Sequence, residues 1–266
     1  MMDPIVQVDH LVMRYGGHAV VDDVSFTVAA GRTLALVGES GAGKSTIAAA
    51  LTGTITVSAG RLLVCGEDRS RPGRSSRVRR RRGVQLQLVS QDPFTTLDPT
   101  QRVGAAIAEV VALHDGGLDR NGRVARVLEL LESVGLGHDH GRVFPKDLSG
   151  GQRQRVAIAR ALAARPTVVV LDEAVSALDV CMQAQVLNVL SDIQRATNTA
   201  YLFVTHDLGV ARQIADDVLV LRRGRTVEYG PADEVLSRPR EGYTRQLLAS
   251  TPRPGWRPRS WPTTVE

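Results

Sequence analysis

The chain has 266 residues, 43% hydrophobic and 23% charged with a net charge of +5, an ordinary globular composition that allows one large α/β domain and a subdomain. Its two cysteines, Cys65 and Cys181, lie far apart in sequence, which excludes a disulfide framework and a cysteine-rich metal site. No apolar run approaches the ~18 residues of a membrane span, and "MMDPIVQVDH" has neither the basic nor the apolar segment of a secretory signal, so a cytosolic chain is expected.

In chain order, "IVQVDHLVMRY" and "AVVDDVSFTVAAG" read as an antiparallel hairpin. "TLALVG" (33–38) is a short, almost wholly apolar strand of the kind buried on both faces by helices. A glycine-rich turn and a helix, "STIAAALTG", follow it. The excess positive charge falls in "RSRPGRSSRVRRRR" (69–82); no aromatic interleaves the arginines, so a base-stacking platform is not expected. The favoured reading of this run is a solvated loop and helix end, with anionic lipid headgroups as the alternative. Lysine occurs only at positions 44 and 146, so the arginine richness is a chain-wide bias.

A strand "VQLQLVS" (84–90) leads to the helical patterns "VGAAIAEVVAL" and "RVARVLELLESVG". "LSGGQRQR" (148–155) opens the helix "QRQRVAIARALAAR"; the strand "TVVVLDE" (167–173), the helix "MQAQVLNVLSDIQRA" and the strand "AYLFVTH" (200–206) come next. "DVLVLRRGRTVEYG" is a hairpin about Arg223-Gly224, and beyond about Arg253 a proline-rich tail lacks any apolar period. Strands alternating with helices predict an open parallel sheet whose ligands bind at the polar strand ends.

"GESGAGKS", Gly38–Ser45, fits the phosphate-loop pattern and sits between a strand and a helix, as that motif requires. Glycines at 38, 41 and 43 leave backbone N–H groups free to wrap an anion, and the helix end adds partial positive charge. Lys44 can reach the β- and γ-phosphates, the Ser45 hydroxyl can ligand Mg²⁺, and Ser40 and Thr46 complete the nucleotide cradle. The strand "TVVVLDE" ends in two acids. Asp172 would hold Mg²⁺ and Glu173 would orient and deprotonate the attacking water. Taken alone, such acids serve equally as helix caps; beside a phosphate loop the catalytic reading is preferred.

"LSGGQ" carries a more specific message. Here the sequence resembles the ATP-binding cassette (ABC) ATPases, whose signature this is, over roughly residues 5–250. The resemblance implies a RecA-like phosphate-loop core (fold class α/β) with an antiparallel β subdomain and a helical signature subdomain. It places the ATPase domain at 1–235, the helical part at about 92–160, and a C-terminal extension at 236–266. It also implies roles. Tyr15 matches the aromatic that stacks on adenine. Gln91 in "SQDPF" matches the glutamine that senses Mg²⁺ and the γ-phosphate and contacts the membrane partner. Asp179 in "SALD" matches the loop that bridges subunits, and His206 in "VTHD" the histidine that clasps the γ-phosphate. Ser149, Gly150, Gly151 and Gln152 would approach the ATP of a second cassette in a head-to-tail dimer.

Within the family, "SQDPFTTLDP" (90–99), "SALDVCMQAQVLNVLSDIQ" (176–194) and "GPADEVLSRPREGYTRQLL" resemble the ATPases of peptide and nickel importers. Such importers imply two transmembrane permease subunits, a second, non-identical cassette, an extracytoplasmic solute-binding protein, and a place on the cytoplasmic face of the membrane. Two departures stand out: "EGYT" at 241–244 where the subfamily has His-Pro-Tyr-Thr, and "EAVSALD" for "EPTSALD". The first leaves open peptide, nickel or metal-chelate cargo. The rival class is a non-transport ABC ATPase acting on nucleic acid or in assembly. A DNA-maintenance protein would carry a long coiled coil between phosphate loop and signature, a translation factor two cassettes, and a non-enzymatic scaffold would have lost Glu173 or His206. A permease helix is expected to dock near Phe94–Val103.

Overall fold

The computed structural model describes residues 4–91, 97–114, 117–176 and 178–250. Strands β1 (Val6–Tyr15) and β2 (His18–Val28) form the expected hairpin. In β1 the buried residues Val6, Val8, Leu11 and Met13 share one face. Strand β4 (Ala59–Val64) pairs antiparallel with β1, and β5 (Glu67–Asp68) with β4, giving a four-stranded sheet in the order β2-β1-β4-β5.

The second sheet carries the site. Its order is β10-β9-β3-β8-β7-β6, from β3 (Thr33–Val37), β6 (Leu86–Val89), β7 (Val168–Asp172), β8 (Ala200–Thr205), β9 (Asp217–Arg222) and β10 (Arg225–Pro231). All pairings are parallel except β10 with β9. The two-residue side-chain period splits its core. Val169, Leu171, Tyr201 and Phe203 join the cluster on the helical side, while Val168, Val170, Leu202 and Val204 join the one under the β1–β2 hairpin and α1 (Lys44–Thr52). On the helical side lie α3 (Val103–His114), α4 (Arg120–Ser133), α5 (Gly150–Leu162) and α6 (Val180–Thr197). A third cluster joins Ala35, Val37, Val218 and Val220 to α7 (Leu208–Ile214), α8 (Ala232–Ser237) and α9 (Gly242–Ser250).

Two sequence expectations are corrected. The strand expected at 84–90 is shorter, because α2 (Ser76–Gln85), capped by the Ser75 side chain, runs on through residues 84 and 85. The arginine run is not uniformly solvated either. Arg69 is 1% exposed, donating at 2.5 Å to Gln85 Oε1, and Arg82 bonds Glu67 and the Asp68 and Arg71 carbonyls. A guanidinium has five donors, so carbonyls and carboxylates crowded at one sheet corner can hold it out of water. Arg71, Arg74, Arg77, Arg79, Arg80 and Arg81 do remain exposed.

The β9–β10 turn is built as expected: Arg223 and Gly224 take φ of 48° and 79°, as a two-residue turn between right-twisted strands requires. Within β10, Glu228 clamps the residues that lead into α9. Its carboxylate accepts from Arg240 N at 2.8 Å and Glu241 N at 3.3 Å, with the buried Thr244 hydroxyl beside it. Burial opposes the charged form, but these hydrogen bonds and Arg240 outweigh it and hold the Glu228 carboxyl below the ordinary glutamate range. A depressed folded value stabilises the fold fully above the unfolded pKa of ~4.3 and ceases to as pH falls through the folded one. Glu228→Gln is therefore expected to lower the melting temperature at pH 7, and the gap to wild type should close as pH falls through and below 4. A gap independent of pH would rule out the charged clamp.

Candidate functional site

The loop Gly38–Ser45 joins the C-terminal end of β3 to α1, and bare backbone seats it. A Cβ on Gly38 would lie 2.3 Å from the Leu221 carbonyl oxygen, and one on Gly43 2.8 Å from that of Val20. The Gly224 amide donates to the Ala42 carbonyl at 3.1 Å, and the Asp22 amide to the Gly224 carbonyl at 2.8 Å. The β9–β10 turn and the β1–β2 hairpin thus hold the loop from two sides. Gly41, at φ 79°, faces open space, and Ser40 is exposed. Helix α1 begins at Lys44 with Gly43 as N-cap and no side-chain cap, whereas side chains cap α2, α4, α5, α6 and α7. Its first amides, Lys44 to Thr46, are open to an anion.

Lys44 is 5% exposed, and its Nζ donates to the carbonyls of Gly38 (2.7 Å) and Glu39 (2.8 Å). Burial pushes its ammonium below the ordinary range, against the pull of Glu173, Asp172 and Glu39. Ser45 donates its hydroxyl to Asp172 Oδ1 at 3.2 Å. Burial raises the Asp172 carboxyl, and Glu173 adds to this against Ser45 and Lys44. This corner is short of positive charge. The donor set, a hydroxyl and a carboxylate, suits Mg²⁺, which keeps several waters and needs few protein ligands. No cluster of three His, Cys, Asp or Glu among the described residues offers a dedicated metal cage. The residues present fit a magnesium–nucleotide complex.

Glu173 follows Asp172 off the end of β7 with φ 49°, a left-handed conformation uncommon for a glutamate. Neighbours impose it: its amide donates to the Val204 carbonyl at 2.9 Å, and Ser176 bonds its carbonyl through both amide (3.1 Å) and hydroxyl (2.9 Å). Its carboxylate meets His206 Nδ1 at 3.2 Å, His206 following the end of adjacent β8. The sheet register thus brings together Lys44, Ser45, Asp172, Glu173 and His206. Gln91 is exposed, two residues past β6. Phe94, Thr95 and Thr96 of the expected docking segment lie outside the described residues. Tyr15 is 49% exposed at the end of β1, in the hairpin whose Val20 abuts the loop.

Within the chain, no hydrogen bond or ion pair among the described residues joins the signature to this cluster. Ser149 is the N-cap of α5 in a capping box: its hydroxyl accepts from Gln152 N at 3.2 Å, and its amide donates to Gln152 Oε1 at 2.9 Å. Gly150 faces open space, while a Cβ on Gly151 would meet Met182 Cε of α6 at 2.3 Å. Asp179 caps α6 by accepting from Met182 N at 2.9 Å. The loop expected to bridge subunits is therefore first a helix cap that seats Met182 against the signature.

A family model described as ABC transporter matches residues 21–176. The chain belongs to the ABC transporter family. It is an ATP-binding and ATP-hydrolysing cassette of that family. It is 45% identical to a di/tripeptide transport ATP-binding protein DppF of Pseudomonas aeruginosa (strain UCBPP-PA14), over 90% of this chain and 74% of that protein. It is 46% identical to a putative peptide import ATP-binding protein of Brucella abortus (strain 2308), over 94% and 78%. It is 42% identical to the glutathione import ATP-binding protein GsiA of Shigella dysenteriae serotype 1 (strain Sd197), covering 94% of this chain and 41% of that longer protein. The cassette's fold superposes on cbiO1 of Clostridium perfringens, part of the ABC transporter complex cbiONQ, with a TM-score of 0.79 at 26% identity, over 89% and 92% of the two chains.

Sequence reading missed what supports these residues. The cassette's His140 can donate from Nδ1 to the Gly137 carbonyl (3.1 Å) and accept at Nε2 from Gln152 Nε2 (3.2 Å), one tautomer serving both. It thereby fixes the amide that closes the capping box, and nothing in its sequence context marks it. The capping box was missed as well, although its signal, Ser149 three residues before Gln152, stands in the sequence. Ser149→Ala is expected to cost about 1 kcal/mol of stability through the lost cap, measured by chemical denaturation. Ser149→Asp, which can still cap, should restore most of it; equal loss in both would show that capping is not what Ser149 contributes.

Proposed function

We propose that this cassette powers import of peptides, as one of two non-identical ATPase subunits on the cytoplasmic face of a membrane, beneath two transmembrane permease subunits fed by an extracytoplasmic solute-binding protein. The observation that carries the reading is 45–46% identity to peptide-transport ATP-binding proteins across at least 90% of the chain. The helical and C-terminal regions thus share the likeness, beyond the ATPase core. Among the described residues no helix is long and apolar enough to cross a membrane, in keeping with permeases supplied as partners.

The proposed division of labour follows from the site. The open amides of the loop and of α1, with Lys44, bind and orient the phosphates. Ser45, Asp172 and Gln91 hold Mg²⁺, which when bound screens the phosphate charge. Glu173, held in its left-handed turn, accepts the proton of the attacking water. His206, at 3.2 Å, orients that carboxylate and clasps the terminal phosphate. Tyr15, exposed at the end of β1, stacks on adenine. Ser149, Gly150, Gly151 and Gln152 offer a second anion-binding helix end to the nucleotide of the partner cassette, with Asp179 alongside. Domain limits of 1–235 and 236–266, with the helical part at about 92–160, belong to the same reading.

Glu173→Gln should abolish turnover in the assembled transporter while nucleotide still binds, since only proton acceptance is lost; ordinary turnover in that variant would refute the role. Lys44→Ala should instead lose affinity, read by nucleotide titration of the full chain. The chain alone should be a poor ATPase whose rate rises with concentration or with the second cassette, because no hydrogen bond or ion pair among the described residues joins its signature to its own phosphate-loop cluster. A full rate independent of concentration would overturn the shared-site reading.

A further inference from the structure

Helix α9, in the stretch that sequence alone assigns to a C-terminal extension, reaches back to the phosphate loop. Its Tyr243 is 8% exposed and packs in the cluster that holds Ala35 and Val37 of β3 with Val218 and Val220 of β9. Those strands run directly into Gly38 and Arg222. The Arg222 guanidinium carbon lies 4.5 Å from the centre of the Tyr243 ring, a cation–π contact that fixes the ring's place. The Tyr243 hydroxyl is buried and has no hydrogen-bond partner at bonding distance within the described chain. Buried tyrosine hydroxyls are nearly always satisfied, so this one needs a reason. The polar groups acting on it are the amide and carboxylate of Glu39, and Arg222. Burial, with the Glu39 carboxylate, raises the phenol against the pull of the Glu39 amide and Arg222, so the group stays a neutral donor. Glu39 is the second residue of the phosphate loop, and its carbonyl takes a 2.8 Å hydrogen bond from Lys44 Nζ.

We propose that Tyr243 is a positioning residue for the phosphate loop, acting through Glu39 on Lys44, so that the C-terminal helix tunes how tightly the loop holds nucleotide. The proposal rests on Gly38–Ser45 being the nucleotide cradle. A buried donor short of a partner favours any arrangement of the loop that brings Glu39 onto it, and so biases which arrangement is populated. Two anchors keep the hydroxyl from turning away: the Arg222 stack on the ring, and the Glu228 clamp on Arg240 and Glu241 just before α9. Tyr243 meets no reacting atom, so its effect belongs in binding and not in the chemical step.

The test uses the full chain and Mg²⁺ with a fluorescent ATP analogue, comparing wild type, Tyr243→Phe, Glu39→Ala, the double variant and Lys44→Ala. Tyr243→Phe keeps the ring over Arg222 and removes only the hydroxyl. It is expected to weaken nucleotide affinity about 3- to 10-fold, the scale of one neutral hydrogen bond. The melting temperature should stay within ~2 °C of wild type, amide exchange should quicken locally at 38–45, and in the assembled transporter KM should rise with kcat kept. In the Glu39→Ala background the effect should vanish. Affinity unchanged by Tyr243→Phe, or an equal loss with Glu39 absent, would overturn the proposal. So would a broad fall in stability accompanying weaker binding, which marks Tyr243 as core packing alone. If wild type and Lys44→Ala both fail to bind nucleotide, the cradle reading itself falls and takes this one with it; binding by wild type alone leaves the proposal to stand or fall on Tyr243→Phe.

Discussion

The structure depends on how closely one backbone can approach another around Gly38–Ser45. Gly38 lies against the Leu221 carbonyl, Gly43 against that of Val20, and Gly224 against both Val20 and the Ala42 carbonyl, with no room for a Cβ at any of the three. An anion cradle needs outward-pointing amides, and such a backbone cannot use them to hold itself in place. Rigidity must come from outside. Here it comes from the β9–β10 turn and the β1–β2 hairpin, which belong to two different sheets. That explains why a small antiparallel sheet is worth attaching to an α/β core: its hairpin braces the loop.

Much of this was legible in the sequence, for identifiable reasons. Buried parallel strands are nearly continuous apolar runs, so "TLALV", "VVVLD" and "AYLFVT" stood out; the first hairpin was legible from its two flanking strand patterns and the second from Arg223-Gly224. The phosphate loop, the acid pair and the signature could be read because their chemistry dictates residue type at fixed spacing. The register of β3, β7 and β8 then brings Ser45, Asp172, Glu173 and His206 together.

What could not be read is what distant residues do for one another. Arg69 sits in an arginine run that looks solvated, and only the folded corner explains its burial: it donates to the Gln85 side chain beside an Arg82 held by Glu67 and the Asp68 and Arg71 carbonyls. Residues 84 and 85 carry a strand-like pattern, yet the capped helix before them won them over. His140 and Met182 touch the signature from other elements, and a lone histidine or methionine carries no mark of such a task. Local chemistry writes itself into local sequence; support between elements does not.

The two halves of the functional surface are built on opposite principles, and this bears on how a cassette is controlled. The phosphate loop is braced by backbone on two sides and by burial of Lys44, so its shape is largely set by the fold. The signature is braced by side chains: Gln152 closing the cap, His140 holding Gln152, and Met182 filling the space beside Gly151. Side-chain braces rearrange more readily than strand registers, since each is a few hydrogen bonds and rotamers of modest net strength. Asp179 caps the helix that presents Met182, so a force on its loop can reach the signature through that side chain, beside the Arg155–Gln185 hydrogen bond that also joins the two helices. A site shared between two subunits needs one face that recognises nucleotide before the partner arrives and one that adapts as it docks. On the shared-site reading proposed above, the backbone-braced loop serves the first task, and the side-chain-braced signature is suited to the second.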